Sequence, residues 1–460
     1  MSNYDAIVIG AGHNGLTNAA YLAKSGLKVL LLEKNDYIGG AAVSRVLHDG
    51  WTYSNCSYVC SLLRPEIFRD LNLQKYGLQV LAYGGSVTFM ENGDIFGGYS
   101  DADMFRREIS RFSKKDADAY VRFSRDVARQ CRFIKPMLLR TPPDPTSFKP
   151  KDLGELIYLF KRLYGLGEQT IYDTIRFYTM SVAEYLEEYF ETDVIKAALS
   201  GSGIIGTGLG PYSPGTAYVL LHHYMGEVDG SIGSWGYARG GMGAISNALA
   251  GAFQDHDGEI KKESEVSQII VKNGRAKGVV LANGDEYYAK NVVSNLDVKR
   301  TYQKLFDPKD LSKKILKQVD NFKIRGSSGK LNIALDGLPE FPAMGKKNPL
   351  IYADMHFIDS LERMERAFDD WKNGRWSRDP YTDVLLPTMT DPTMSPPGKH
   401  YMSVFVQYAP AKLSTGAWTD KDRDAFGSTV IDKIAEYSPN FKDLIVHAEV
   451  RSPQDIENEI

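Results

Sequence analysis

The stretch that decides the fold is Ala6-Ile7-Val8-Ile9-Gly10-Ala11-Gly12-His13-Asn14-Gly15, followed by an apolar, Ala-rich run over 16–23 and by Lys28-Val29-Leu30-Leu31-Leu32-Glu33. A short β-branched run that ends at a glycine reads as a strand buried on both faces. Gly10, Gly12 and Gly15 then stand in GxGxxG spacing, 16–23 reads as a helix closing at Gly26, and 28–32 reads as a second buried strand. Glycines at these points permit a tight turn and a close backbone approach, while the helix N-terminus aims unpaired N–H groups at a pyrophosphate. Glu33, 18 residues after Gly15, is placed to accept hydrogen bonds from the two ribose hydroxyls of an adenosine. An acid there disfavours a 2′-phosphate, so FAD or NAD is expected over NADP. GxGxxG alone is a weak signal. Strand, glycines, helix, strand and acid in that order are a strong one.

Working outward, 460 residues predict two or three domains at roughly 150 residues each. A net charge of -3 argues against a nucleic-acid partner. Three cysteines, Cys56, Cys60 and Cys131, are too few for a disulfide framework and favour a reducing compartment. The longest apolar runs, 29–32 and 156–160, fall far short of the ~18 residues that span a bilayer. The N-terminus enters a strand at once, which leaves no room for a signal peptide or presequence. The expected address is the cytoplasm, or the mitochondrial matrix if the source is eukaryotic.

The next segment separates FAD from NAD. After Glu33 comes Lys34-Asn35-Asp36-Tyr37-Ile38-Gly39-Gly40-Ala41-Ala42-Val43-Ser44-Arg45. The double glycine closely following the acid resembles the extension shared by FAD-dependent amine oxidases, GDP-dissociation inhibitors and phytoene desaturases. That resemblance implies FAD as cofactor, with a loop running beside the pyrophosphate toward the flavin. Gly39, Gly40 and Ala41 then join Gly10, Ala11, Gly12, His13, Asn14, Gly15, Glu33 and Lys34 in lining the cofactor. The commonest version has Arg directly after the two glycines; here Arg45 is the candidate replacement.

The resemblance extends along the chain. Ser181-Val182-Ala183-Glu184-Tyr185-Leu186, Ile204-Ile205-Gly206-Thr207, Pro211-Tyr212-Ser213-Pro214-Gly215-Thr216-Ala217-Tyr218 and His222-His223-Tyr224-Met225-Gly226 are similar to one group of phytoene-desaturase-like flavoproteins. That group is called pyridine nucleotide-disulfide oxidoreductase domain-containing protein 2. Arg239-Gly240-Gly241-Met242-Gly243-Ala244-Ile245 resembles the glycine motif of such desaturases, and Pro392 and Pro396-Pro397-Gly398-Lys399-His400 lead into Met402-Ser403-Val404-Phe405-Val406-Gln407-Tyr408 as in that group. An α/β, two-dinucleotide-binding-domain flavoprotein is expected: a Rossmann-like FAD domain from 1–100 and 231–300, a mainly helical portal segment over 101–230, and a mixed-sheet substrate domain over 301–460. These flavoproteins close the flavin site with a C-terminal strand, glycine-rich turn and helix. The chain stops at Ile460 before such an element, which is expected to be missing.

Two other readings concern packing. Leu153, Leu156, Ile157, Phe160, Leu163 and Tyr164 fall on one helical stripe, read either as core or as a helix that dips into a membrane at a substrate portal. Segments 264–271, 277–281 and 291–297 read as a meander ending in a buried strand, turning at Asn273-Gly274 and Asn283-Gly284. By resemblance Val266 contacts the adenine, with strand core as the alternative. Asn295, at a strand's carboxyl end, falls in the cofactor crevice of an open sheet.

Catalytic residues are harder to read, since the chemistry belongs to the isoalloxazine. His222, His223 and Tyr224 are the candidates, polar groups in an apolar stretch, with buried and satisfied polar residues as the alternative. Cys56 and Cys60, with three residues between them, do not match a redox dithiol. The remaining histidines form no metal-ligand spacing, so no metal is expected. Three functions compete: an FAD-dependent oxidoreductase of desaturase type on an apolar, isoprenoid or lipid-like substrate; a flavoprotein double-bond isomerase; and a non-enzymatic prenyl or protein binder like the GDP-dissociation inhibitors. The intact glycines and Glu33 argue against the third.

Overall fold

Hydrophobic periodicity of two kinds builds two sheets and a helical layer, as the computed structural model of residues 4–165, 167–345, 348, 350 and 353–460 makes explicit. Strand Tyr4–Ile9 is parallel to Val29–Leu32 on one side and to Glu286–Ser294 on the other. Residues with apolar side chains on both faces, such as Ile7, Val8, Leu30 and Leu31, are fully buried there, as parallel strands covered on both sides require. The six-stranded sheet runs Glu259–Lys261, Val29–Leu32, Tyr4–Ile9, Glu286–Ser294, Arg275–Leu281, Val266–Lys272. Helices His13–Lys24 and Gly243–Gln254 cover one face through Leu16, Ala19, Ala20, Ala248, Leu249 and Phe253. Instead of a separate buried strand after the meander, Glu286–Ser294 is one long strand. Its first residues pair with the meander and its later ones with Tyr4–Ile9; it is half-exposed, with Asn291 at the surface.

The seven-stranded sheet is ordered Ile445–Arg451, Ser328–Leu335, His400–Gln407, Tyr381–Leu385, Asp354–His356, Ser86–Phe89, Ile95–Gly98. The expected boundary at residue 100 therefore shifts: Ser86–Phe89 pairs in parallel with Asp354–His356, so the hairpin joins the second sheet. A turn signal fixes a hairpin but says nothing of the sheet that accepts its edge.

This sheet has two unlike faces. Leu331, Ile333, Met355, Val384, Met402, Val404 and Val406 pack against Phe426, Val430 and Ile434 of helix Asp420–Ala435. The alternate positions carry Lys330, Asn332, Asp354, His356, Asp383, Ser403 and Gln407. Strand alternation normally puts such residues in water. Here Lys330, Asn332, Asp383, Ser403 and Gln407 are all buried: segment Trp51–Ser54 and its continuation to Tyr58 bond Lys330, Asn332 and Asp383, and the turn over 204–207 holds Gln407. Trp51 Nε1 donates to the His400 carbonyl, and Lys330 Nζ to that of Ser54.

Helices between Ala102–Phe112 and Thr216–Tyr224 form the third layer, cored by Phe105, Phe123, Phe177, Leu186 and Leu221. Helix Pro150–Tyr164 has no fully buried residue: Leu163 of its stripe packs half-buried against this core, whereas Leu153, Ile157, Phe160 and Tyr164 are exposed. No helix among the described residues is long and apolar enough to cross a membrane.

Candidate active site

The glycine turn is dictated by sterics. A Cβ on Gly15 would stand 2.1 Å from the Gly10 carbonyl oxygen, and Gly10 itself has φ +91°. Asn295, whose N–H donates to the Ile9 carbonyl, lays its side chain over the turn, 3.1 Å from where Cβ atoms on Gly12 and Gly15 would be. Ala11 is buried, His13 half-buried and Asn14 exposed; burial lowers the His13 pKa and so favours a neutral ring. Glu33 is 7% exposed at the end of its strand. Its carboxylate accepts from Ala11 N at 2.8 Å and Asn35 N at 3.0 Å, while Lys34 points to solvent. Val266 begins its strand half-buried against the core that Ile7, Leu30 and Leu281 form, close to the acid, since Ser264 N donates to the Glu33 carbonyl.

The double-glycine loop docks beside this turn. Gly39 N donates to Ala11 O, and Ala41 O accepts from Ser57 N. Gly39 (φ +118°) and Gly40 (φ +54°) both need the left-handed region, and a Cβ on Gly40 would sit 3.2 Å from Gly12 Cα. Arg45 stacks on Tyr37 and reaches a shared acceptor, the Glu459 carboxylate, which also takes hydrogen bonds from Tyr37, Asn55 and Arg451. A carboxylate gathered by two guanidinium groups, a phenol and an amide beside Gly40 marks a place built for an anion. Asn55 Oδ1 and Arg451 Nη1 are buried there without partners. Cradle, acid and anion basket together fit a flavin dinucleotide.

The polar face of the second sheet continues from that basket. Register places Arg451, Lys330, Phe405 and Asp383 in one row across four strands. Lys330 donates to Ser403 Oγ at 2.9 Å, lies under the Tyr58 ring, and burial pushes its pKa down to about 7. Asp383 accepts from Tyr58 Oη at 2.5 Å and Tyr381 Oη at 2.8 Å, and faces His356 Nδ1 at 3.1 Å. His356 Nε2 lies 3.6 Å from Asp354 Oδ2. Burial opposes charge on Asp383, but the hydrogen bond and charge of His356 and the two phenols outweigh it, so its pKa is lowered. Burial also opposes charge on His356; Asp354 and Asp383 outweigh it and raise the imidazole to about 9. Asp354, buried and facing the charge of Asp383, is pushed well above the carboxylate range.

Asp354, His356 and Asp383 offer ligand atoms within 4.8 Å of one another, a grouping that sequence spacing does not reveal. The two imidazole nitrogens face different carboxylates, however, so the atoms form a chain rather than converging on one point. Tyr381 fits because Gly201 leaves room: a Cβ there would meet its hydroxyl at 2.4 Å.

Of the expected catalytic residues, His223 lies on this side. Its Nδ1 contacts Val219 O at 2.9 Å, its ring stacks on Trp235, and burial lowers its pKa while the charge of Asp383 acts the other way. His222 stands edge-on to His223 and is also depressed by burial. Tyr224 packs instead among the helices, edge-on to Phe123. One helical turn sends neighbouring residues in different directions, so Tyr224 is turned away from the His222–His223 pair. Cys56 and Cys60 are free thiols, and burial raises both pKa values, Cys60 to about 11. Thiolate chemistry is disfavoured accordingly.

The flavin-containing amine oxidoreductase family matches residues 15–447. The chain belongs to that family. It is 34% identical to mouse pyridine nucleotide-disulfide oxidoreductase domain-containing protein 2, over 99% of this chain and 82% of the mouse protein. Carrot chloroplastic prolycopene isomerase is 28% identical over 98% of this chain and 69% of its own length. An oxidoreductase from Methanosarcina mazei shares the fold with a TM-score of 0.60 at 16% identity, covering 98% of this chain and 90% of that one. As a member of this family the chain is a flavoprotein oxidoreductase, and its cofactor is FAD.

Lys330, Asp354, His356, Asp383, Tyr58 and Tyr381 are the site residues that sequence reasoning missed. Charged residues at alternate positions of two otherwise apolar strands, Lys330 in 328–335 and Asp383 in 381–385, were the available signal.

Proposed function

We propose that this protein is an FAD-dependent dehydrogenase of the desaturase type, acting on an apolar, isoprenoid or lipid-like molecule. The observation that carries the reading is the buried polar face bearing Lys330, Asp383, His356 and Asp354, set behind Tyr58 and next to the double-glycine loop. Gly10, Gly12, Gly15, Glu33, Gly39, Gly40, Arg45 and Asn295 would hold the dinucleotide; bound FAD supplies hydride acceptance. Aromatic rings then wall the polar groups from water: Tyr83 stacks on Tyr237 and Tyr58 on Phe405. A cavity of about 500 Å³ lined by Leu63, Phe68, Leu78, Leu81 and Val228 adjoins the Tyr237 strand and has the size of a small-molecule site.

Double-bond isomerisation is the second reading. It is favoured by the kinship with a prolycopene isomerase and by a network able to both give and take a proton. The test is anaerobic mixing of the FAD-loaded protein with prolycopene and with limonene. Bleaching of the flavin supports the dehydrogenase, an isomerised product without bleaching supports the isomerase, and neither overturns both.

Delivery of an apolar substrate from a membrane completes the proposal. Helix Pro150–Tyr164 exposes Leu153, Ile157, Phe160 and Tyr164, the last two at 67% and 82%, next to Phe148 at 89%. Lys149, Lys151 and Lys161 flank this stripe in solvent. Of its two acids, Glu155 is engaged by Arg140 and Asp152 accepts from the Asp144 N–H, so the stripe suits a weak contact with an anionic bilayer.

A further inference from the structure

We propose that helix Pro453–Glu459 is a gate on cofactor loading: its Glu459 carboxylate occupies the place of the dinucleotide's pyrophosphate, and FAD binds by displacing it. This gate depends on the cofactor and on neither of the substrate readings above.

The helix runs from one sheet to the other. Its start is tied on the side of the second sheet, where Asp455 pairs with the Ser452 cap and takes the Arg423 guanidinium. Its end lies in the cradle of the first. Asn35, whose N–H donates to the carboxylate of Glu33, gives its Nδ2 to the Glu459 carbonyl at 3.3 Å, and Arg300 holds the Glu457 carbonyl. Ile460 Cγ2 stands 3.8 Å from where a Cβ on Gly40 would be, and that Cβ would be 3.2 Å from Gly12 Cα. Residues 459 and 460 thus pass between the acid and the glycine turn, along the path that a pyrophosphate takes in such a fold.

Each donor that holds Glu459 is also a donor for phosphate. Tyr37 Oη donates to Glu459 Oε1 at 2.5 Å, Asn55 Nδ2 at 2.9 Å and Arg45 Nη1 at 3.1 Å, while Arg451 Nη2 reaches Oε2. Burial opposes charge on Glu459, but Tyr37, Arg451, Asn55 and Arg45 outweigh it and hold its pKa below the ordinary carboxylate value. In the empty site this carboxylate neutralises guanidinium groups that would repel each other. A pyrophosphate cannot simply join it, because its negative charges are repelled by an ionised carboxylate in a half-buried site. It can take the carboxylate's place with contacts to spare. Arg451 Nε is shared with Glu449 at 3.4 Å, but Arg451 Nη1 is buried with no hydrogen-bond partner, a donor that the two oxygens of Glu459 leave over. The exchange is open to water, since the Arg45 and Glu459 side chains are 39% and 16% exposed.

The test titrates FAD, followed by flavin fluorescence, into the wild-type chain, Glu459→Gln and Glu459→Ala. Inorganic pyrophosphate is titrated separately by calorimetry, and amide exchange is followed over 456–460 with and without saturating FAD. A site closed in about nine molecules of ten weakens apparent affinity about tenfold, so both variants are expected to bind FAD about tenfold more tightly than wild type. Pyrophosphate is expected to gain by the same factor, because the competition is for the anion basket and not for the adenosine site. In wild type, FAD is expected to speed exchange at Ile460, whose N–H bonds the Ile456 carbonyl. Unchanged or weaker FAD binding in both variants makes Glu459 a wall of the site and overturns the gate. A gain for FAD that pyrophosphate does not share overturns it too, as does exchange that FAD slows or leaves unchanged, and as does FAD bound by none of the three proteins. If one variant fails to fold, the other decides by the same readouts.

Discussion

Glu33 and Lys330 show how single residues divide the work. The Glu33 carboxylate ties Ala11 to Asn35 through two backbone N–H groups, and such charge-assisted bonds are worth about 1.5–3 kcal/mol each. Glu33→Ala is therefore expected to weaken FAD binding at least tenfold in a fluorescence titration; an unchanged affinity would remove Glu33 from the adenosine site. Lys330 makes a statement about pH. The folded chain releases its proton near pH 7, against an ordinary value of 10.5, so the unfolded chain binds one proton more between those limits. Stability must rise with pH in that window. Urea melts of wild type and Lys330→Met are expected to show the wild type gaining on the variant from pH 7 to 10, and parallel curves would mean that Lys330 stays charged.

At the scale of the element, helix Pro150–Tyr164 is the outlier, an amphipathic helix with four of its six stripe residues, Leu153, Ile157, Phe160 and Tyr164, exposed. The periodicity was plain in the sequence, but periodicity specifies a face and not what covers it. Each flanking lysine is worth about 1 kcal/mol near anionic lipid. Wild type is expected to float with phosphatidylserine-containing liposomes at low salt, to release at high salt, and to lose most of the bound fraction on Phe160→Asp. Flotation indifferent to both would place the membrane contact elsewhere. The polar face of the Lys330 and Asp383 strands is the opposite case. Its alternation was as visible as the helical stripe, yet polar residues at alternate positions ordinarily mean solvent. Only the segment after Trp51–Ser54, lying across them, turns them into a buried site.

For the whole molecule, that same segment couples the two sheets. Ser54 and Asn55 hold Lys330 and Asn332 of one sheet, while Asn55 N and Ser57 N bond the Val43 and Ala41 carbonyls of the cofactor loop. FAD bound to the first sheet should therefore stabilise the second. At a hundredfold excess over Kd the gain is about 2.7 kcal/mol. Fluorescence of a variant that keeps only Trp376 and Trp418, on the far side of the second sheet, is expected to shift with FAD in a single transition. Two separate transitions, only one of them moved by FAD, would show the sheets to be energetically independent.

The sequence by itself determined the dinucleotide cradle, its acid and the meander, because each depends on local rules: glycines where a Cβ cannot fit, a carboxylate at a strand end, turns at Asn-Gly. It left Asp354, His356, Asp383, Tyr58 and Lys330 unconnected, although they lie within one hydrogen-bonded neighbourhood. They come from three strands and a loop, up to 325 residues apart in the Tyr58–Asp383 pair. Strand order and register brought them together, and neither is encoded in any short stretch: register follows from which faces are buried across the whole sheet. Burial then changed their chemistry, holding a carboxylic acid neutral and a lysine near pH 7, which no residue's neighbours in sequence could dictate.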